Sequence, residues 1–148
     1  LVTRTFSKAF GLAALRVGYV AGNPELISII DRARLPYNVN ALSQVITTMA
    51  LRNATFVNGY IDIIKSDRTF WAHVLEQHGL EVSPSAANFL LAKVPNSHNR
   101  DKFIENLAQA GVLVRATNQR ELTQHVRITI GTSDDLDALS GALEQVLK

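Results

Sequence analysis

Thr5-Phe6-Ser7-Lys8-Ala9-Phe10-Gly11-Leu12-Ala13-Ala14-Leu15-Arg16-Val17-Gly18-Tyr19 is the stretch on which the reading of this 148-residue chain turns. It sets a hydroxyl beside a lysine and an arginine eight residues further on, in a setting that is otherwise small or apolar. Charged side chains are rarely buried without a partner. A lysine and an arginine converging in apolar surroundings therefore point to a bound anion, and burial beside a second cation would make the lysine amine a better nucleophile toward carbonyls. An exposed loop with two solvated cations accounts for the same residues, and both readings stand at this level.

Outward from that stretch, the opening residues suit a short strand, and Val17 to Ala21 a second. Asn23-Pro24-Glu25 starts a helix: the amide caps, proline suits the first helical position and glutamate favours the positive end of the dipole. Ile27, Ile30 and Ala33 mark one face of it, and Pro36 breaks it. A helix over 41–51 follows, capped by Asn40. A longer one is marked by Phe56, Tyr60, Ile63, Ile64, Phe70, Trp71, Val74 and Leu75, with Gly79 as its stop. Phe70 and Trp71 are both expected to pack. Beyond Gly79 come a strand over 88–94, a helix ending at Gly111, strands over 112–114 and 126–130, and a last helix through Leu136, Leu139, Leu143, Val146 and Leu147, capped by Thr132 or Ser133. This order forms a compact α+β layer. The domain boundary is expected near Pro36, with residues 1–36 the end of a larger domain and 37–148 helices leading into a small α+β domain. The opening without methionine, in mid-strand, is read as a cut, so the chain is expected to be the carboxy-terminal portion of a longer protein.

Composition narrows the function classes. Hydrophobic residues make up 47% and charged ones 19%, enough to bury a core. The +2 charge is slight, and although the pI is about 9.2, lysine and arginine are interspersed with acids rather than gathered in a stripe, so no nucleic-acid partner is expected. The absence of cysteine excludes disulfides and thiolate chemistry. No apolar run approaches the ~20 residues of a membrane-spanning helix, and a cytoplasmic protein without membrane partners is expected. His73, His78, His98 and His125 have no metal-ligand spacing, and no metal is expected.

The opening stretch resembles the Ser-Lys-x-x-x-Leu-x-x-Leu-Arg-x-Gly-Tyr signature of fold-type I aminotransferases of classes I and II, enzymes dependent on pyridoxal 5′-phosphate (PLP). The resemblance implies an α/β fold, the end of a PLP-dependent transferase large domain followed by an α+β small domain. It implies Lys8 as the Schiff-base lysine and proton carrier, and Ser7 and Arg16 as ligands of the PLP phosphate. Ala14 stands where the family more often has glycine. The segment in which family members carry the aspartate for the pyridine nitrogen, the stacking aromatic and the glycine-rich phosphate turn is not in this chain.

Three later stretches narrow the resemblance to histidinol-phosphate aminotransferases and their near relatives: Pro36-Tyr37-Asn38-Val39-Asn40 with Ser43-Gln44, Ala87-Asn88-Phe89, and the paired Val114-Arg115 and Val126-Arg127-Ile128-Thr129-Ile130-Gly131. What this implies is Arg127 on the glutamate carboxylate, and Arg127 with Arg115 on the phosphate of histidinol phosphate. Fixed guanidinium groups serve both anions. Surface ion pairing is the competing account of Arg115. Asn88 either orients substrate or satisfies strand-end backbone, and Tyr37 either reaches the cofactor or fills a junction. The polar segment 116–125 lacks the glycine-containing turn usual in relatives. The implied reaction is histidinol phosphate plus 2-oxoglutarate giving imidazole acetol phosphate plus glutamate, in a homodimer. The alternatives are an aromatic amino-acid aminotransferase, a phosphothreonine-type decarboxylase, or an inactive module that only folds or dimerises.

Overall fold

The computed structural model describes residues 1–148, which divide into two compact units, Leu1–Asp62 and Ile63–Lys148. The division falls within a helix, beyond the Pro36 break.

In the amino-terminal unit, β1 (Val2–Thr5) and β2 (Gly18–Ala21) form an antiparallel pair with Thr5 opposite Gly18. Helix α1 (Pro24–Ala33) starts as its residues dictate, with the Asn23 side chain accepting from the Glu25 amide. α2 (Ala41–Arg52) starts likewise, Asn40 accepting from the Ser43 amide. Little of this unit is buried: Phe6, Ser43, Thr47 and Val57. The expected apolar face of α1 is left largely exposed: no residue of that helix is buried and only Ile27 is partly so. Periodicity shows which side chains share a face, not whether a partner lies against it.

The long helix α3 (Ala54–Gln77) runs into the carboxy-terminal unit. There β3 (Glu81–Val82), β4 (Phe89–Lys93), β5 (Arg115–Ala116) and β6 (His125–Thr129) form an antiparallel sheet in the order β3-β4-β6-β5. Helices α4 (Arg100–Gln109) and α5 (Ser133–Val146) complete the layer. Side chains alternate across a strand, so Leu90 and Ala92 of β4 and Val126 and Ile128 of β6 enter one core with Trp71, Leu75, Phe103, Leu107, Leu136, Leu139 and Leu143. The opposite face of the sheet carries Phe89, Leu91, Lys93, Arg127 and Arg115. One face holds the fold together and the other is free to hold a site.

Two expectations need correction, and one strand went unforeseen. No strand forms over 112–114. α4 ends in a Schellman turn, with Gly111 at φ 85 donating to the Ala108 carbonyl and Val112 to the Leu107 carbonyl. The next residues carry the chain from helix end to sheet, so Val112 and Val114 pack on the core, and pairing begins only at Arg115. The short β3 escaped notice because two residues show no periodicity. Phe70 and Trp71 also part company: Trp71 is 4% exposed and Phe70 is 60% exposed, since neighbours on a helix point about 100° apart.

Thr132, one of the two expected caps, closes a full capping box with Asp135. A Cβ at Gly131 would run into the Asp135 carboxylate, so glycine is what lets β6 lead straight into that cap.

Candidate functional site

The loop between β1 and β2 is built inward from Phe6. Its ring is 5% exposed and lies 4.9 Å from Phe10 and 6.2 Å from Tyr19, centroid to centroid. Its backbone closes the loop at both ends: the Phe6 amide donates to Val17 at 3.1 Å, and its carbonyl accepts from Leu12 at 3.0 Å. Ser7 and Lys8 follow this anchor directly. The Ser7 Oγ accepts from the Thr5 hydroxyl at 2.9 Å, which leaves the hydrogen of Ser7 to donate elsewhere. Lys8 is exposed and its amine has no hydrogen bond or ion pair. The apolar enclosure expected around it is not supplied by these residues, because Phe6 is the one buried side chain in the loop.

Arg16 is the one non-glycine residue at positive φ, at 55° with ψ 39°. A non-glycine residue in the left-handed region is costly, and such residues collect at functional sites. Its Nη1 donates to the Ala13 carbonyl at 2.8 Å, which steadies the guanidinium and leaves most of its N–H groups free. A free hydroxyl, a free guanidinium and a free amine on one short loop fit a phosphate ester carrying an aldehyde, which is the chemistry of PLP.

Tyr37 lines a cavity of about 630 Å³ in the amino-terminal unit, together with Phe6, Tyr19, Asn38, Gln44 and Thr47. Tyr37 itself is 97% exposed. The Thr47 hydroxyl is buried without a partner, a group that sequence reasoning passed over because one threonine in a helix carries no signal.

In the carboxy-terminal unit, Arg115 on β5 pairs with Arg127 on β6, residue opposite residue. Both side chains therefore leave the same face of the sheet, with Cβ atoms about 5 Å apart. Neither makes an ion pair, so surface pairing does not explain Arg115. Arg127 is half-buried, and its guanidinium carbon stands 5.2 Å from the centroid of the Phe89 ring. Phe89 was not singled out from sequence as a partner of Arg127; the signal was its place beside Asn88, where β4 begins. The Asn88 carbonyl accepts from the Ile130 amide at 3.1 Å, and its carboxamide makes no hydrogen bond within the chain. The strand-end bond of Asn88 is made by its backbone alone, and its side chain stays available. The polar segment after β5 is fastened by Arg100, which donates to the Thr117 carbonyl at 2.9 Å, and by Thr117, whose hydroxyl donates to the Leu122 carbonyl at 2.5 Å.

The amino-terminal unit thus carries Lys8, Ser7 and Arg16 on one loop, and the carboxy-terminal unit a sheet face with two arginines free of ion pairs. The profile of the family described as aminotransferase class I and II matches residues 1–143. The chain belongs to that family. Histidinol-phosphate aminotransferase 1 of Mesorhizobium japonicum is 37% identical over 148 residues, 99% of this chain and 40% of that protein. Among solved structures, the histidinol-phosphate aminotransferase of Sinorhizobium meliloti, determined in complex with pyridoxal-5′-phosphate, superposes with a TM-score of 0.87 at 25% identity, over 98% of this chain and 40% of that one. The L-threonine-O-3-phosphate decarboxylase of Porphyromonas gingivalis gives a TM-score of 0.81 at 25% identity, over 98% of this chain and 46% of that one. The chain thus spans about 40% of the length of the curated relatives it matches. The α/β aminotransferase fold expected from the opening signature is the fold found.

No group of three or more metal-ligating side chains is gathered anywhere in the chain. No helix is long and apolar enough to cross a membrane.

Proposed function

We propose that the chain is the part of a PLP-dependent transaminase that carries the cofactor lysine and the substrate-anion face, and that the whole enzyme moves an amino group from histidinol phosphate to 2-oxoglutarate. The observation that carries this reading is the facing pair Arg115 and Arg127, free of ion pairs. Two guanidinium groups side by side repel unless an anion lies between them. One half-reaction brings a phosphate and the other a carboxylate, and planar forks grip both.

PLP, when bound, supplies the aldehyde and the conjugated ring that accepts the electrons of the substrate Cα–H bond. The residues of this chain do the rest of what is assigned to them. Lys8 would hold the cofactor through its side-chain amine and, when that amine is free, would carry the proton at the substrate Cα. Ser7 donates through its free hydroxyl hydrogen and Arg16 through its free N–H groups to the cofactor phosphate. Arg127 binds the 2-oxoglutarate carboxylate, and Arg115 joins it on the phosphate of the donor. Asn88 offers its unpaired carboxamide to the substrate, and Tyr37 offers its hydroxyl near the cofactor. Self-association into a homodimer and a domain boundary near Pro36 belong to the same proposal.

Two measurements test it. Borohydride reduction after incubation with PLP is expected to fix the cofactor covalently at Lys8, and Lys8→Ala is expected to abolish that labelling. Turnover by the whole enzyme carrying this chain is expected with histidinol phosphate and 2-oxoglutarate; turnover of phenylalanine alone would move the assignment to the aromatic aminotransferases. The decarboxylase reading draws on the Porphyromonas gingivalis similarity, and carbon dioxide release from phosphothreonine is its mark. The inactive-module reading draws on the exposed amine of Lys8 and the uncovered apolar residues of α1. Failure of Lys8 to take PLP would leave it standing.

A further inference from the structure

Three consecutive carbonyls at the entrance to β4 are held from three directions. That of Ala87 accepts from Arg68 Nη1 at 3.0 Å, that of Asn88 from the Ile130 amide at 3.1 Å, and that of Phe89 from the Ser85 hydroxyl at 2.7 Å. Ser85 also accepts from the Ala87 amide at 3.1 Å, so the turn from 85 to 89 is closed on itself. Arg68 is the long-range member of this set. It lies on α3, 19 residues away in sequence, and its half-buried side chain reaches across to the carbonyl that precedes Asn88.

We infer that Arg68 is a positioning residue for the substrate-anion face. A charged donor makes a stronger and more directional bond to a carbonyl than a neutral one does, and the planar guanidinium sets angle as well as distance. Through that bond the orientation of Asn88 is tied to α3 rather than left to a loop. Phe89 comes next, and the Arg127 guanidinium rests over its ring at 5.2 Å. Arg68 thus sets where Asn88 and Phe89 stand, and Phe89 sets where Arg127 points. No charge of Arg68 needs to touch the substrate for this to hold. The inference rests on the proposed role of Arg127 and Asn88 in substrate binding.

The test uses steady-state kinetics of the holoenzyme that carries this chain. Arg68→Met is expected to raise KM for both the phosphate-bearing donor and 2-oxoglutarate by about tenfold, with kcat changed less than about twofold, because orientation of a binding group is lost and the reacting atoms are untouched. Arg68→Lys keeps the charge and one donor, and is expected to recover most of that loss. Ser85→Ala loosens the same turn from its other side without touching α3, and is expected to shift KM in the same sense. It decides the matter if Arg68→Met does not fold. An unchanged KM in Ser85→Ala, or a fall in active fraction with KM unaltered in Arg68→Met, overturns the inference, since a merely structural role predicts those results. Arg127→Gln is the control. If it raises KM while Arg68→Met and Ser85→Ala do not, only the role of Arg68 falls; if it leaves KM unaltered, the reading of the anion face falls with it.

Discussion

Arg115 and Arg127 face each other across the β5–β6 pairing, on the side of the sheet turned away from the core, and neither has an acidic partner. Like charges directly opposite destabilise an antiparallel pair. A fold that keeps such a pair sets stability against something else, which under the proposed function is the grip on an anion. Arg127→Gln is therefore expected to raise the stability of the chain by about 0.5 kcal/mol at low salt, with the gain shrinking as salt screens the repulsion. In the whole enzyme the same change is expected to weaken binding of a phosphate-bearing amine. A double-mutant cycle with Arg115→Gln is expected to show coupling between the two of about 0.5–3 kcal/mol, because both act on one ligand. Strict additivity in binding titrations would mean that the arginines serve different groups.

The start of α5 makes one pH dependence readable. The Asp135 carboxyl is held below its ordinary value of 3.8, first by the Thr132 backbone N–H and then by the Thr132 hydroxyl, with burial opposing slightly. A carboxylate with a depressed folded pKa contributes stability that is fully present above its unfolded value and is lost as pH falls through the folded one. Denaturant midpoints from about pH 5 downward are expected to show this loss in the natural chain and to lack that component in Asp135→Asn. Identical acid limbs for the two would show that the capping box does not hold in solution.

Thr47 offers a stability test of a different kind. Its hydroxyl is buried without a partner at the edge of the cavity that Tyr37 lines. An unmet buried hydroxyl costs roughly 1–3 kcal/mol, and valine has nearly the same shape. Thr47→Val is expected to raise the urea midpoint of the chain by the equivalent of about 1 kcal/mol. A lower midpoint would show that the hydroxyl is satisfied after all.

Much of the secondary structure was legible because its signals are local. Asn23, Asn40 and Thr132 cap the helices they precede, and Gly79 and Gly111 end theirs at positive φ. Apolar runs marked β4 and β6 as strands, while which of their residues enter the core came from the structure. The signature around Lys8 pointed to the family through its spacing, and the family profile runs through that stretch and on to residue 143. The failures were failures of locality. An apolar run at 112–114 looks like a strand, yet it serves the passage from a helix end to a sheet edge. The apolar residues of α1 look like a buried face, yet the chain covers only Ile27 among them, and that partly.

By itself the sequence determined what depends on neighbours along the chain: where helices start and stop, which side chains share a face, and that Ser7, Lys8 and Arg16 sit on one loop. Only the tertiary structure decided what depends on register and on contacts between distant segments. A slip of one residue in β5 against β6 would send Arg115 and Arg127 to opposite faces. The bond from Arg68 to Ala87, the ring of Phe89 beneath Arg127 and the exposure of Lys8 are likewise written in no local pattern. The place of Phe89 beneath Arg127 arises because the core side of the sheet, packed by Leu90, Val126 and Ile128, leaves the other side a single register in which to stand.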